Sequence, residues 1–290
     1  NLLRKGYYTM TDIANIQSLA VAANTVTNVT LVQPYADNAT IGTSFETITN
    51  TNADQVLPVI AGADIDVVSA STDDDGSPAG TGANTITVTY LDDNFDQATE
   101  VITMNGTTEV EMTEQNISFI QKAEITTSGT GLASAGAITI ADVTGGGVHA
   151  IIDAGSKESG NCTWKIPAGH TGYVHGFWYD VDSVAAGQGT AEIALQVAHA
   201  EASGVANSET WRTVAKVTVV EQDSDVVAAS GGNGGTNMGS FSFPGNVPFV
   251  VPAKSMVRLA GKALSTAVAA TCGFSMSVQG SGGGTTVTSS

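Results

Sequence analysis

The stretch N-C-T-W-K-I-P-A-G-H-T-G-Y-V-H-G-F-W-Y-D-V-D-S, residues Asn161–Ser183, concentrates Trp164, Tyr173, Phe177, Trp178 and Tyr179 in a chain that has 3 Trp, 6 Tyr and 8 Phe in all. Aromatic side chains bury large areas and pack well on a pleated surface, so this density marks a sheet core or an interface rather than a loop. The stretch reads as two strands joined by a turn at Pro167-Ala168-Gly169. The same order returns at Phe249–Leu259, F-V-V-P-A-K-S-M-V-R-L. In both, a β-branched residue is followed by Pro-Ala, a short polar step and an apolar-rich strand. The echo points to a β-sandwich scaffold and not to chemistry.

Working outward, strand signals dominate. Val26–Val32, Thr85–Tyr90 and Glu100–Met104 alternate apolar and polar residues, the period of a half-buried strand. Val56–Ile60, Ile65–Ser69, Ile117–Ile125, Ala137–Ala141 and Val148–Ile152 add to the first half. Glu192–Ala198, Trp211–Val220, Met238–Phe243, Pro248–Val251, Met256–Ala260 and Cys272–Val278 add to the second. Leu91–Gln97 reads as a hairpin connection, and Asn105-Gly106 is the strongest hairpin signal, joining Val101–Met104 to Thr108–Met112. About fifteen short strands with Gly, Pro and Asn turns predict an all-β fold, a jelly-roll-like antiparallel sandwich, either one large or two consecutive.

The expected organisation is an N-terminal arm over residues 1–24, a β-rich domain over 25–157, a jelly-roll domain over 158–280 and a flexible tail over 281–290. In the arm, Arg4 and Lys5 stand beside Tyr7 and Tyr8, and Thr11 can cap a short helix with Ile13, Ile16, Leu19 and Ala23 on one face. Polar residues from Thr9 to Gln17 interrupt any run that would make this segment a secretory leader.

Composition narrows function. The 290 residues carry a formal net charge of −18 and only 10 Lys and Arg, which argues against a nucleic-acid face. Acidity of this size favours solubility and opposes self-association outside an assembly. No stretch reads as a transmembrane helix, so no membrane partner is expected. Cys162 and Cys272 each lie in strand-like runs and read as free buried thiols, with a single bridge as the alternative if the two strands are neighbours.

Chemical motifs are sparse. Gly231–Gly235 has no following helix or lysine to cradle a phosphate, and no G-x-S-x-G elbow is present. His170 and His175, five apart, fall on opposite faces of a continuous strand, and could share zinc only if the chain turned at Gly172. Asp92-Asp93-Asn94-Phe95-Asp96 starts like a calcium loop, but Gln97 and Thr103 stand where glycine and glutamate are needed. A looser calcium site between β-loops is the alternative to ordinary turn residues. Asp73-Asp74-Asp75 reads as a solvated turn. No catalytic constellation, metal site or cofactor is expected, and the chain reads as non-enzymatic.

One resemblance covers the middle third to half of the chain. The run from Ala63, with Val68-Ser69, Gly80-Thr81-Gly82-Ala83, Leu91-Asp92, and Glu100 to Val110 (E-V-I-T-M-N-G-T-T-E-V), resembles virion structural proteins of tailed phages, particularly of marine hosts. Gly136–Ile140 and I-P-A-G-H-T-G-Y (Ile166–Tyr173) continue it. The resemblance implies a capsid-associated particle component, a decoration or minor capsid protein, that assembles with itself (as a trimer) and with other virion proteins such as the major capsid protein. No binding residue carries over. The interface residues expected from the sequence itself are Arg4, Lys5, Tyr7 and Tyr8 in the arm, and Trp164, His170, Tyr173, His175 and Trp178 in the aromatic stretch. The alternative is a tail, fibre or spike module that stacks host glycan on Trp164, Tyr173 and Trp178. A secreted glycan hydrolase would need facing carboxylates across a cleft, which the sequence does not display.

Overall fold

The computed structural model of the chain describes residues 28–50, 63–143, 147–183, 189–199, 211–220, 237–265 and 268–280. The arm with Arg4, Lys5, Tyr7 and Tyr8, its expected helix, the Val56–Ile60 strand, Gly231–Gly235 and the tail over 281–290 lie outside these residues.

In chain order the strands are β1 (Val29–Val32), β2 (Tyr35–Ile41), β3 (Glu46–Thr47), β4 (Ala63–Ser69), β5 (Ala83–Leu91), β6 (Gln97–Thr103), β7 (Val110–Ile117), β8 (Phe119–Ser128) and β9 (Ile138–Asp142). They continue as β10 (Val148–Ile152), β11 (Thr163–Lys165), β12 (His170–Ser183), β13 (Thr190–Ala198), β14 (Arg212–Val220), β15 (Asn237–Ser242), β16 (Phe249–Val251), β17 (Met256–Ala263) and β18 (Val268–Gly280). A single turn of 3-10 helix at Pro244–Asn246 is the only helical element among the described residues.

Two sheets form a jelly roll. In one, β18 pairs with β12 along its length, β1 and β2 share the far edge of β18, and β15 and β16 share the far edge of β12. In the other, β17 lies between β13 and a lane made of β3 and β11, and β14 closes the edge beyond β13. Counting lanes along the chain, the first pairs with the last, the second with the seventh, the third with the sixth and the fourth with the fifth, all antiparallel. That is one long hairpin rolled into two facing sheets, which is the jelly-roll topology. The core between the sheets is apolar: Phe177, Phe274, Ile193, Leu195, Leu259 and Met276 are buried there.

The second sandwich sits inside the first. The lane holding β3 leaves the jelly roll at Thr49, which bridges Asn161, and resumes at β11. Between these points β4 to β10 build two sheets, in the orders β10-β9-β4-β7 and β6-β5-β8, around Ile65, Val67, Ile86, Val88, Ile138 and Ile140. Strand β5 shows the cause: A-N-T-I-T-V-T-Y-L buries Ile86, Val88 and Tyr90 and turns its threonines outward.

The antiparallel jelly-roll reading holds, but the expected division at residues 157/158 does not follow the strand pairing. β1, β2 and β3 pair with β18 and β17, so the segment from 29 to 47 belongs with the C-terminal strands. Two expected hairpins are sheet crossings. β11 and β12, joined by the Pro167 turn, lie in different sheets, and so do β6 and β7, joined through Asn105-Gly106. The β5–β6 connection at Leu91–Gln97 is the hairpin that the alternation implies.

A small third core fastens the sandwiches together. Leu91, Phe95 and Phe119 from the insert pack with Met256 from the jelly roll, against Ala168 and Trp211. Ala168 N donates to Phe95 O at 2.8 Å, and the Gln121 side chain bonds both the N–H and the carbonyl of Lys165, at 3.2 and 2.6 Å.

Candidate functional site

Among the described residues, the outer face of the six-stranded sheet gathers three of the sequence-predicted interface residues, Tyr173, His175 and Trp178. Residues opposite one another on paired strands share a face. Register therefore sets Leu31, Ser277, Tyr173 and Val250 in one row across β1, β18, β12 and β16. A second row is Tyr35, Gly273, Trp178 and Ser240, and a third is Asp37, Thr271, Asp180 and Met238. Trp178 is 41% exposed, Val250 54% and Met238 73%, so these are the solvent side of the sheet.

Trp178 lies flat because Gly273 opposite has no side chain: a Cβ there would stand 2.7 Å from the indole. Beside it runs a shallow groove of about 260 Å³ bounded by His175, Phe241 and Ser275. His175 sits at a β-bulge between Val174 and Gly176, and its Nε2 is 2.7 Å from Ser277 Oγ. Burial lowers the His175 pKa, holding the ring neutral at physiological pH. A serine–histidine pair can be nucleophilic only with a group orienting the imidazole and donors for an oxyanion. Here, among the described residues, no carboxylate hydrogen-bonds His175. The flanking strand N–H groups are spent on ladder pairing with β18 and β15. The arrangement offers stacking area and hydrogen bonds, bordered by acidic Asp37, Asp180 and Asp182.

Tyr173, His175 and Trp178 thus share a surface. His170 does not join them. It opens β12 after Gly169, with Nδ1 2.7 Å from Ala168 O. Trp164 is also elsewhere, 9% exposed in the other sheet, lining a cleft against the insert. The glycan platform expected from Trp164, Tyr173 and Trp178 together is therefore not assembled. The sequence reading missed Leu31, Tyr35, Met238 and Val250. The alternation of β1 put Leu31 on one face, but nothing local said that β1 borders β18.

Among the described residues, no group of three His, Cys, Asp or Glu is placed to hold a metal ion. Asp92 Oδ1 accepts from the N–H groups of Asn94 and Asp96 at 2.9 and 2.8 Å, so the D-x-N-x-D turn closes on itself. Asp74 is not a solvated turn residue. It is fully buried, and its carboxylate accepts from Ala83 N, Ala135 N, Gly136 N and Ser69 Oγ at 2.6–2.9 Å. Cys162 and Cys272 are free and buried, with Cys162 Sγ 2.9 Å from the Cys272 carbonyl.

No protein-family model matches the chain, and no curated protein matches it in sequence. Among solved structures, one chain from "The Triple Jelly Roll Fold and Turret Assembly in an Archaeal Virus" aligns with 97% of this chain at 12% identity and a TM-score of 0.19; the chain spans 66% of its length, just under two thirds. A chain from the structure of infectious bursal disease virus Gt strain aligns with 91% of this chain and 77% of its own at 10% identity, also with a TM-score of 0.19. Overlap at that level carries no argument, and the jelly-roll assignment rests on the strand pairing itself.

Proposed function

We propose that the protein is a non-enzymatic structural component of a virion, a capsid decoration or minor capsid protein of a tailed phage. It assembles symmetrically with copies of itself and seats on the major capsid protein. The observation that supports this reading most is the jelly-roll body with a second sandwich spliced into one lane. The insert returns to the sheet through the described chain from β10 to β11, and the Ala168–Phe95 and Gln121–Lys165 hydrogen bonds hold this second body at a defined place. A particle component needs that rigidity, because every copy must present the same contacts. The phage-like motifs of Ala63–Ile140 and Ile166–Tyr173 favour the same class. The outer face around Trp178 is the contact surface, since it exposes aromatic and aliphatic side chains in register on a rigid sheet.

Symmetric assembly multiplies modest contacts, so a small patch suffices. Sedimentation analysis should show a closed oligomer for the wild type and a shift to monomer for Trp178→Asp with an unchanged circular dichroism spectrum. Purified particles of the phage that encodes the chain should contain its peptides. A wild type that stays monomeric and is missing from the particles overturns the reading.

A further inference from the structure

The outer face around Trp178 is apolar along its middle and acidic along one side. Asp180 and Asp182 follow Trp178 at alternate positions of β12, and Asp37 shares the row of Asp180 across Thr271. Among the described residues, no cation pairs with any of the three. Burial, then the charge of Asp180, raises the Asp182 pKa, so the two carboxylates stand against each other. A positive charge laid over the pair would relieve that repulsion.

This decides what can cover the face. Two copies meeting face to face would set carboxylates against carboxylates, which opposes association. The covering surface must be apolar or aromatic where it meets Trp178, Met238 and Val250, and basic where it meets Asp180 and Asp182. The chain has 10 Lys and Arg, and Arg4-Lys5 is the one place where two are adjacent. Leu2, Leu3, Tyr7 and Tyr8 flank them, and no carboxylate occurs before Asp12. Elsewhere the cations are single, and several are committed: Lys122 to Glu158, Lys216 to Glu192, and Arg258 to Gln196 and Thr47. The basic segment and the acidic face thus complement each other in charge and in aromatic content.

Position allows the match. The chain enters β1 at Val29, on the border of the same face. Residues 9–28 can span at most about 70 Å. The stretch of β18 from Gln279, paired with Val29, to Thr271, beside Asp180, is only about 27 Å. The reach therefore extends beyond the chain's own face to a neighbouring copy.

We infer that residues Leu2–Tyr8 of one copy dock on the outer sheet face of the next, with Arg4 and Lys5 over Asp180 and Asp182 and the tyrosines against Trp178 and Met238. The inference rests on the reading of this face as the contact between copies, because a segment folded onto its own body would close the face to any partner. Each copy gives one segment and receives one, so the contact repeats around a closed assembly.

The test uses the full chain. In sedimentation, Arg4→Glu/Lys5→Glu should weaken association at least about tenfold, with an unchanged circular dichroism spectrum. Adding Asp180→Lys/Asp182→Lys to that variant should restore association; if the combined variant does not fold, cross-linking decides alone. For this, p-benzoylphenylalanine replaces Tyr8, which leaves the face untouched. Unlabelled and heavy-nitrogen-labelled copies are mixed as monomers, concentrated and irradiated. Mass spectrometry should find cross-links to β12 or β15 that join a light peptide to a heavy one. Cross-links that stay within single copies, or that reach only the insert, where Asp66 and Glu111 oppose each other on β4 and β7, overturn the inference, and so does finding none. An Arg4→Glu/Lys5→Glu variant that assembles like the wild type while Trp178→Asp is monomeric overturns it too, and leaves the face as the contact between copies. A wild type that never assembles overturns both.

Discussion

The N–H of Ile166 donates to the carbonyl of Ser255 at 2.9 Å, and the N–H of Lys254 returns a bond to the Ile166 carbonyl at 2.8 Å. These bonds tie together the two Pro-Ala corners of the jelly roll. At one corner β11 hands over to β12, at the other β16 hands over to β17. Because β11 pairs with β17 and β12 with β16, the two crossings run side by side. The sequence echo between Ile166 and Leu259 is therefore the repeated corner of one rolled hairpin.

Each corner needs one left-handed residue, Gly169 (φ 65°) at the first and Lys254 (φ 64°) at the second. A side chain in that conformation costs about 1–2 kcal/mol, so Gly169→Ala should lower the urea midpoint by that equivalent. Lys254→Gly removes the same strain but also removes an ammonium 4.9 Å from the Phe95 ring centroid, an interaction of about 0.5–1 kcal/mol. The second variant should stay close to wild type.

Asp74 should control acid stability. Burial pushes its carboxyl up, but hydrogen bonds from Ala135, Ser69, Gly136 and Ala83 outweigh that and leave its pKa below the ordinary value. A lowered folded pKa means that the contribution is complete above the unfolded value of about 3.9 and is lost as pH falls through the folded one. Asp74→Ala should cost at least about 3 kcal/mol at neutral pH by stranding buried donors. The melting-temperature gap between wild type and Asp74→Asn should narrow as pH is lowered through the acid range.

Asp66 has the opposite sign. Burial, then Glu109, Glu111 and Asp142, raise its pKa, so the fold prefers it protonated. Its penalty is present above the raised folded value and fades as pH falls below the unfolded one. Asp66→Asn should raise the melting temperature at neutral pH and give no gain in acid. A loss at neutral pH would contradict the assignment.

Phe95 is held at φ 67° by the Asp92 turn, 7% exposed in the junction core, with Lys165 Nζ 4.5 Å from its ring centroid. Phe95→Ala should cost about 3–5 kcal/mol and loosen the insert from the jelly roll. Hydrogen exchange should rise at Ala168 and Gln121 before it rises in either sandwich core.

The cysteines should be inert in the folded protein. Burial pushes the Cys162 thiol well up and the Cys272 thiol up to about 12, and the thiolate is the reactive form. A chromogenic disulfide reagent at mildly alkaline pH should titrate neither until guanidinium is added. Rapid native labelling would show that the core opens.

Local signals were legible where the physics is local. Threonine alternation in β5 reports a half-buried strand, and the Asp92–Asp96 turn closes as a hairpin because its own carboxylate satisfies its backbone. Asn105-Gly106 shows the limit. Gly106 adopts φ 59°, as such a turn requires. Yet the chain then leaves one sheet for the other, with Gly106 N donating to the Asp74 carbonyl at 2.8 Å. The same residues serve a hairpin or a crossing, because the dihedral they permit is identical. Asp74 was illegible for a related reason: its four donors come from Ser69, Ala83, Ala135 and Gly136, and the last two lie far along the chain.

By itself the sequence determined an all-β chain: which residues extend, where glycine and proline bend the backbone, and which side of each strand is apolar. It also marked the two Pro-Ala corners as a matched pair. Tertiary structure alone decided that those corners bind each other, that β1 to β3 join the C-terminal strands, and that a whole sandwich is spliced between β3 and β11. It also decided that Tyr173 and Trp178 share a surface while Trp164 turns to a cleft. Strand periodicity assigns a face but not a neighbour, and the neighbour is chosen by packing and hydrogen bonding between segments far apart in the chain.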